Sequence, residues 1–125
     1  MEIEELILKL RAEKWPSRQL DVDLAPLFGF SRASDAGHPK FSWHHPNGVV
    51  KPLPKFTQDL QDAYDLLQLV APDNVGGFSW EKGQATAKIE TGPYCTAATP
   101  AMAACIAALV ELRRKKEPAA SLTSV

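Results

Sequence analysis

The sequence predicts an α+β fold in which a small, mainly antiparallel sheet is sandwiched by helices in α/β/α layers. Apolar residues recur at helical spacing in four segments of the chain. Two other segments, residues 40–53 and 76–91, alternate apolar and polar side chains around short turns, as the strands of hairpins do. Because an isolated hairpin is only marginally stable, we expect helices to cover both faces of the sheet.

The composition is that of one globular domain. A chain of 125 residues buries about two-thirds of its unfolded surface, enough to fold without disulfides or metal. The net charge of −1 gives no general attraction to nucleic acid or to membranes. We therefore predict a single α+β sandwich domain over residues 1–116 and a disordered tail over residues 117–125.

The two cysteines indicate a reducing compartment. Cys105 lies inside the last predicted helix, and Cys95 lies just before it. The intervening helix would separate them by roughly 13–15 Å, which is too far for a disulfide. Reduced thiols and a cytoplasmic location are therefore expected. No apolar run approaches the length of a membrane span, and the acidic N-terminus does not resemble a signal peptide.

Two helices are predicted at the start of the chain. The first carries an apolar face at helical spacing, formed by Ile3, Leu6, Ile7 and Leu10. It should end near Lys14, because Trp15 precedes Pro16 and the residue before a proline disfavours helix. Ser17 is the predicted N-cap of a second, shorter helix, and Gly29 its C-terminal stop.

A loop, a hairpin and a third helix should follow. Residues 31–39 are predicted to be loop, and residues 40–53 to form two short strands around a Pro-Asn-Gly turn. Pro52 would restrict the second strand to an edge position. Thr57 is the predicted N-cap of the third helix. Its apolar face is predicted to consist of Leu60, Ala63, Tyr64, Leu67 and Val70 or Ala71.

A second hairpin and a fourth helix complete the domain. Apolar residues alternate on both sides of the Lys82–Gly83 turn, which predicts a hairpin with one covered face. Thr99 is the predicted N-cap of the last helix, with Pro100 at its first position. Alanines lie on opposite sides of this helix, so we expect it to be packed between two neighbours or against a second subunit.

Three stretches resemble the phage ABA sandwich domain family of small phage and prophage proteins. They are SRQLDVDLAPLFGF (residues 17–30), FTQDLQDAYDLLQLVAPD (residues 56–73) and the Trp-bearing hairpin GFSWEKGQATAKIETG followed by ATPAMAACIAALVEL. The resemblance implies a layered helix–sheet–helix fold, a phage or prophage origin and a location in the cytoplasm of the bacterial host. It carries over no catalytic residues. Residues 38–55 depart from the family's pattern.

The candidate enzymatic and metal-binding residues lack the motifs or spacing that such sites need. Cys95 lies before a helix N-terminus, which can lower the pKa of a thiol, but no catalytic motif flanks it. His38, His44 and His45 are close in sequence, yet adjacent residues of a strand point to opposite faces. Asp59, Asp62 and Asp65 fall on one stripe of a helix, which is typical of a solvated face. We predict no catalytic residue, metal or cofactor.

A ligand site has more support than an enzyme. Thr96 and Thr99 offer hydroxyls at the start of the last helix, where aligned N–H groups bind anions. Trp43 beside His44 and His45 combines an aromatic ring with cationic groups, which could stack a base and neutralise a phosphate. Lys88 and Tyr94 complete the candidate ligand-binding set. Plain capping and core packing are the alternatives for these residues.

The function expected from these observations is that of a non-enzymatic phage or prophage accessory protein that binds a host factor. Its specific form is a sponge that sequesters a nucleotide immune signal in a pocket between subunits. One alternative is a protein-interaction module that directly inhibits a host protein. Another is a small hydrolase using Cys95. A homo-oligomer, dimer or higher, is expected, with neither a membrane nor a nucleic-acid polymer as partner.

Overall fold

The structure, a computed structural model, describes residues 2–33, 42–72, 76–89 and 92–116. Within these ranges the chain forms four α-helices and six short strands. The elements are α1 (Ile3–Ala12), α2 (Arg18–Leu24), a 3-10 turn (Ala25–Phe28), β1 (Ser31–Arg32), β2 (Ser42–His44), β3 (Val50–Pro52), α3 (Leu60–Val70), β4 (Gly76–Glu81), β5 (Gln84–Ile89), β6 (Cys95–Ala97) and α4 (Pro100–Lys115). The predicted tail over residues 117–125 lies outside the described residues.

The α+β class is confirmed, but the strands form two antiparallel sheets where the sequence predicted one. The first sheet has the order β1-β2-β3, and the second has the order β4-β5-β6. Pro52 ends β3 at the edge of the first sheet. Because proline has no N–H to donate and Pro54 follows closely, that edge is poorly suited to accept a further strand. The edge position predicted for Pro52 is confirmed.

The first two helices pack their apolar faces into the core. Leu6, Ile7 and Leu10 of α1 are buried. Helix α1 ends at Ala12 rather than near Lys14, because Glu13 already has an extended backbone. The Ser17 side chain accepts a hydrogen bond from the Leu20 amide and caps α2, as predicted. Gly29 takes φ 92°, and this left-handed conformation ends the following 3-10 turn.

The first hairpin is confirmed around its Pro-Asn-Gly turn. The His45 amide donates to the Val49 carbonyl and the Gly48 amide donates to the His45 carbonyl, both at 2.9 Å. Strand β1, by contrast, lies in a segment predicted to be loop. It pairs Ser31 with His44 and Arg32 with Trp43. A pairing of only two residues leaves no periodic signal that the sequence could reveal.

Two details of the third helix differ from the prediction. Asp59, not Thr57, is the N-cap, and its side chain accepts from the Asp62 amide. Thr57 is instead fully buried and hydrogen-bonded to Asp21. The buried face consists of Ala63, Leu66, Leu67 and Val70. Leu60 and Tyr64 are exposed, because this face is rotated toward Leu66.

Helix α4 is the centre of the fold. Every side chain from residue 101 to residue 109 is buried. The helix packs against α3 and α1 and against all three strands of the second sheet. Small side chains on several sides allow these neighbours to approach the helix axis closely. The predicted packing between neighbours and the roles of Thr99 and Pro100 at the helix start are confirmed.

The second sheet has two different faces. The inner face presents Ala85, Ala87 and Ile89 of β5 to the core, where all three are buried. The outer face carries the alternate residues, Thr86 and Lys88, which are half-buried. Strand β6, which the sequence did not predict, pairs with the far side of β5. Among the residues described, no helix has the length and apolar character needed to cross a bilayer.

Candidate functional site

A row of hydroxyl groups crosses the outer face of the second sheet. Ser79 of β4 pairs with Thr86 of β5, and Thr86 pairs with Thr96 of β6. Directly opposed residues of an antiparallel sheet lie on the same face, so the three hydroxyl-bearing side chains are neighbours. Ser79 and Thr96 are exposed and Thr86 is half-buried. The row therefore offers hydrogen-bond donors and acceptors to solvent or to a ligand.

A cation and an aromatic ring lie beside this row. The Lys88 ammonium nitrogen is 4.4 Å from the centroid of the Tyr94 ring. This distance is within the range of a cation–π interaction, which restrains a side chain that would otherwise sample many rotamers. The Tyr94 side chain is 71% exposed. We call the surface formed by Ser79, Thr86, Lys88, Tyr94 and Thr96 the hydroxyl face.

A shallow depression of about 420 Å³ lies on the hydroxyl face. Its lining includes Lys88, Tyr94, Thr86 and Ser79, together with Gly76, Gly77 and Phe78. Gly77 pairs with Lys88, and nothing lies within 4 Å of the position that a Cβ atom at Gly77 would occupy. The backbone is therefore open to close approach beside the Lys88 ammonium. A flat polar ligand with a negative charge fits this combination of groups.

The seven predicted ligand residues are not brought together. Lys88, Tyr94 and Thr96 share the hydroxyl face. Thr99 is the N-cap of α4, and its hydroxyl accepts from the Met102 amide at 3.2 Å. This is the plain capping role that the sequence left as an alternative. The remaining three, Trp43, His44 and His45, belong to the first hairpin, in the other sheet.

The residues of the first hairpin are mainly structural. Trp43 is only 4% exposed, and the Arg32 guanidinium carbon lies 4.9 Å from its ring centroid. A ring buried to this degree is not open for stacking a base, so the structural alternative applies to Trp43. His45 is also buried, with Nε2 3.2 Å from the Pro52 carbonyl oxygen. His44 is half-buried, and His38 lies outside the described residues.

A separate cavity of about 230 Å³ lies beside His45. Its lining includes Phe30, Lys51, Asp62 and Asp65. Asp62 accepts from the Lys55 amide at 2.8 Å, and Asp65 accepts from the Gln61 side chain at 2.9 Å. These carboxylates therefore serve local structure. Within the described part of the chain, no group of three or more His, Cys, Asp or Glu residues is arranged to hold a metal ion.

The thiol of Cys95 is not activated. Cys95 lies in β6, where it is buried, and its Sγ is 3.6 Å from the Pro93 carbonyl oxygen. Burial raises the pKa of the Cys95 thiol, and the positive charges of Arg11 and Arg113 oppose this effect only in part. A position before a helix N-terminus can lower the pKa of a thiol, but burial outweighs that effect at Cys95.

Three residues of this site were missed from the sequence. Ser79 and Thr86 follow from the two-residue Lys82–Gly83 turn, which pairs Glu81 with Gln84 and hence Ser79 with Thr86. The turn length predicts that register, but no motif in the sequence marks the exposed face of the hairpin as a site. The third residue, Gly77, belongs to the site only because it pairs with Lys88 and leaves the backbone beside that side chain open. The neighbourhood of Thr96 depends on β6, which carries no sequence signal.

Comparison with known proteins identifies no related protein. No protein-family model, no curated protein and no solved structure matches this chain. The resemblance of three stretches to the phage ABA sandwich domain family therefore stays a prediction. The hydroxyl face and its chemistry are the observations from which a function is inferred.

Proposed function

We propose that this protein is a non-enzymatic binder that sequesters a small anionic ligand of the nucleotide type on the hydroxyl face. The observation that carries the proposal is the Lys88–Tyr94 pair, 4.4 Å apart, beside the row of hydroxyls from Ser79, Thr86 and Thr96. A charged group, an exposed ring and several hydroxyls are the three kinds of contact that a nucleotide uses.

Each group has a role in such binding. The Lys88 ammonium would pair with a phosphate, since a charge-assisted hydrogen bond is stronger than a neutral one. The exposed Tyr94 ring would stack a base; stacking of this kind stabilises binding by about 1–3 kcal/mol per base. The threonine and serine hydroxyls would bind phosphate, ribose or base edges. Gly77, without a side chain, would allow the ligand to lie close to the strand.

The candidate catalytic side chains favour ligand binding over catalysis. Sequestration requires affinity alone, with no transition state to stabilise. The carboxylate of Asp59 caps α3, that of Asp62 accepts from the Lys55 amide, and that of Asp65 accepts from the Gln61 side chain within the helix. The Cys95 thiol is buried, and its pKa is raised. These observations favour a binder over a cysteine hydrolase.

The biological setting follows from the resemblance to the phage ABA sandwich domain family. We infer that the protein is a phage or prophage accessory protein that acts in the cytoplasm of the bacterial host. A ligand of nucleotide type there would be a host immune signal, and removing it would protect the phage. Anti-defence by sequestration is therefore the function that we propose.

Direct inhibition of a host protein is a second candidate. It is favoured by two exposed aromatic side chains on or beside the second sheet, Trp80 at 70% and Tyr94 at 71% exposure. Exposed aromatic side chains are enriched at protein interfaces. A protein partner would not require phosphate binding by Lys88, which separates the two candidates experimentally.

Calorimetric titration with a panel of nucleotide ligands tests the proposal. The probes are a cyclic dinucleotide, a cyclic trinucleotide and an ADP-ribose derivative, each recovered and analysed by mass spectrometry after release. We expect one class to bind and to be released unaltered. Lys88→Ala and Tyr94→Ala should each weaken that binding by at least about tenfold. Lys82→Ala, an exposed lysine in the turn of the same hairpin, is the matched control and should bind as the wild type does.

Three results would overturn the proposal. One is the absence of binding to every probe. Another is chemical conversion of a bound probe, which would make the protein an enzyme. The third is binding that persists unchanged in Lys88→Ala, which would show that the hydroxyl face is not the site.

A further inference from the structure

Strand β4 presents a long, exposed edge. It covers the six residues Gly76–Glu81 and lies at one end of the order β4-β5-β6. Within the described residues, no strand pairs with its outer edge. Its sequence, GGFSWE, contains neither lysine nor proline, the residues with which proteins commonly blunt an open edge. Such an edge is a template for another strand.

The hairpin turn fixes which backbone groups face outward. Glu81 and Gln84 flank a two-residue turn, so they form the hydrogen-bonded pair that closes the hairpin. Hydrogen-bonded and non-hydrogen-bonded pairs alternate along an antiparallel ladder. Ser79 and Gly77 therefore direct their amides and carbonyls toward β5. Those of Gly76, Phe78 and Trp80 point to the free edge.

We propose that two copies of this chain pair through their β4 strands, antiparallel about a twofold axis at Phe78. In this register Phe78 lies opposite the partner's Phe78, and Gly76 lies opposite the partner's Trp80. All three outward-facing residues then form hydrogen-bonded pairs with the partner strand. The partner is a second copy because this arrangement is self-complementary, as a twofold interface must be.

A cavity beside Gly76 fits the partner's tryptophan. It has a volume of about 290 Å³ between α3 and the inner face of β4 and β5. Its lining includes the apolar residues Leu67, Ala71, Phe78, Ala87 and Ile89. Trp80 lies on the same face as Phe78, yet it is 70% exposed. In the paired register, the indole of each copy would cover the partner's Gly76 and enter this cavity, as aromatic residues do when they cover an edge glycine.

The charges of the two strands are compatible with this pairing. Gly76, Phe78 and Trp80, which would meet across the interface, are uncharged. The single carboxylate of β4, on Glu81, would lie at opposite ends of the joint sheet in the two copies. No like charges would therefore be opposed. The six-stranded sheet would also carry the two hydroxyl faces side by side, but the pairing does not depend on any ligand.

Sedimentation velocity of three proteins tests the interface. We expect the wild type to be a dimer and Trp80→Lys to be a monomer, because the substitution removes the indole and would bring an ammonium group to the partner's apolar cavity. Trp15→Lys is the matched control, since Trp15 is 74% exposed and lies outside the second sheet; it should remain dimeric. A monomeric wild type, or a dimer that persists in Trp80→Lys, would overturn the proposal.

Cysteine cross-linking tests the register. In this register Gly77 and the partner's Ser79 form a non-hydrogen-bonded pair, whose Cα atoms lie about 4.5 Å apart and whose side chains are close enough for a disulfide. A Cβ atom at Gly77 meets nothing within 4 Å. The double variant Gly77→Cys/Ser79→Cys should therefore form a disulfide-linked dimer on oxidation, whereas Ser79→Cys alone should not, because its thiol lies opposite the partner's Gly77. The native Cys95 and Cys105 are buried and should not interfere. A cross-linked dimer of Ser79→Cys, with none of the double variant, would contradict the register.

Discussion

The buried carboxylate of Asp21 accepts two hydrogen bonds from Thr57, one from the backbone amide and one from the hydroxyl, each 2.8 Å long. The Thr57 hydroxyl also accepts from the Ser17 amide at 2.9 Å. Arg18 forms an ion pair with the other oxygen of Asp21 at 2.8 Å. A carboxylate without solvent exposure needs such partners. Together they connect the start of α2 to the segment that leads into α3.

Replacing Thr57 with valine should therefore destabilise the protein. Valine has nearly the same shape but leaves the Ser17 amide without its acceptor and removes one hydrogen bond from a buried carboxylate. We expect a loss of about 2 kcal/mol in the free energy of unfolding, measured by urea denaturation. Thr96→Val, at an exposed position, is the control and should change stability by less than about 0.5 kcal/mol. Equal effects of the two substitutions would contradict the role given to Thr57.

Enlarging a buried side chain of α4 should also lower the free energy of unfolding. Ala104 has no solvent exposure and lies in a helix whose neighbours approach on several sides. Ala104→Leu should lower the free energy of unfolding by about 1–3 kcal/mol or prevent folding, because the added carbon atoms have no space. Ala12→Leu, at the exposed end of α1, is the matched change and should be nearly neutral. A fully stable Ala104→Leu would mean that α4 is loosely packed.

Stability should fall at alkaline pH, in part because of Cys105. Burial, together with the negative charge of Asp21, raises the pKa of the Cys105 thiol well above its usual range. The unfolded thiol, with a pKa of about 8.5, loses its proton first, so the folded state is favoured fully below that pH and progressively less above it. Each pH unit above the unfolded pKa should lower the folding equilibrium constant by up to about tenfold per raised thiol. Urea denaturation of Cys105→Ala should show a shallower decline with pH; an identical decline would exclude Cys105 as a cause.

Cys95 should react slowly in the folded protein. Burial raises the pKa of its thiol, so little thiolate is present at neutral pH and the sulfur is shielded. Alkylation by iodoacetamide, followed by mass spectrometry, should be much slower in buffer than in urea. Rapid and selective modification of Cys95 in buffer would instead support the hydrolase alternative.

The helices were more predictable than the sheets. Ser17 and Thr99 cap α2 and α4 as the sequence predicts, because capping depends on local chemistry. Gly29, predicted to end the second helix, instead ends the 3-10 turn that follows α2, which itself ends at Leu24. Threonine is a common N-cap residue, which is why Thr57 is predicted to cap α3. Its side chain instead forms a tertiary hydrogen bond to Asp21, and Asp59 caps α3. Strands β1 and β6 are two and three residues long, too short for a periodic pattern.

The candidate site was predictable only in part. Lys88, Tyr94 and Thr96 were chosen from the sequence, and the structure places them on one face. The indole of Trp43 looks equally suited to stacking from the sequence, but it is buried in the core, and no local pattern distinguishes it from an exposed tryptophan. The separation of the strands into two sheets likewise depends on long-range packing that the sequence does not display.

The central claim is that the hydroxyl face binds an anionic nucleotide-type ligand, and amide chemical-shift mapping during titration with each of the three nucleotide probes tests it most directly. For one probe class we predict the largest shifts at Thr86, Lys88, Tyr94 and Thr96, with the same pattern in Lys82→Ala and much smaller shifts at the same ligand concentration in Lys88→Ala. Shifts confined to the cavity beside His45, or no shifts with any of the probes, would contradict the claim.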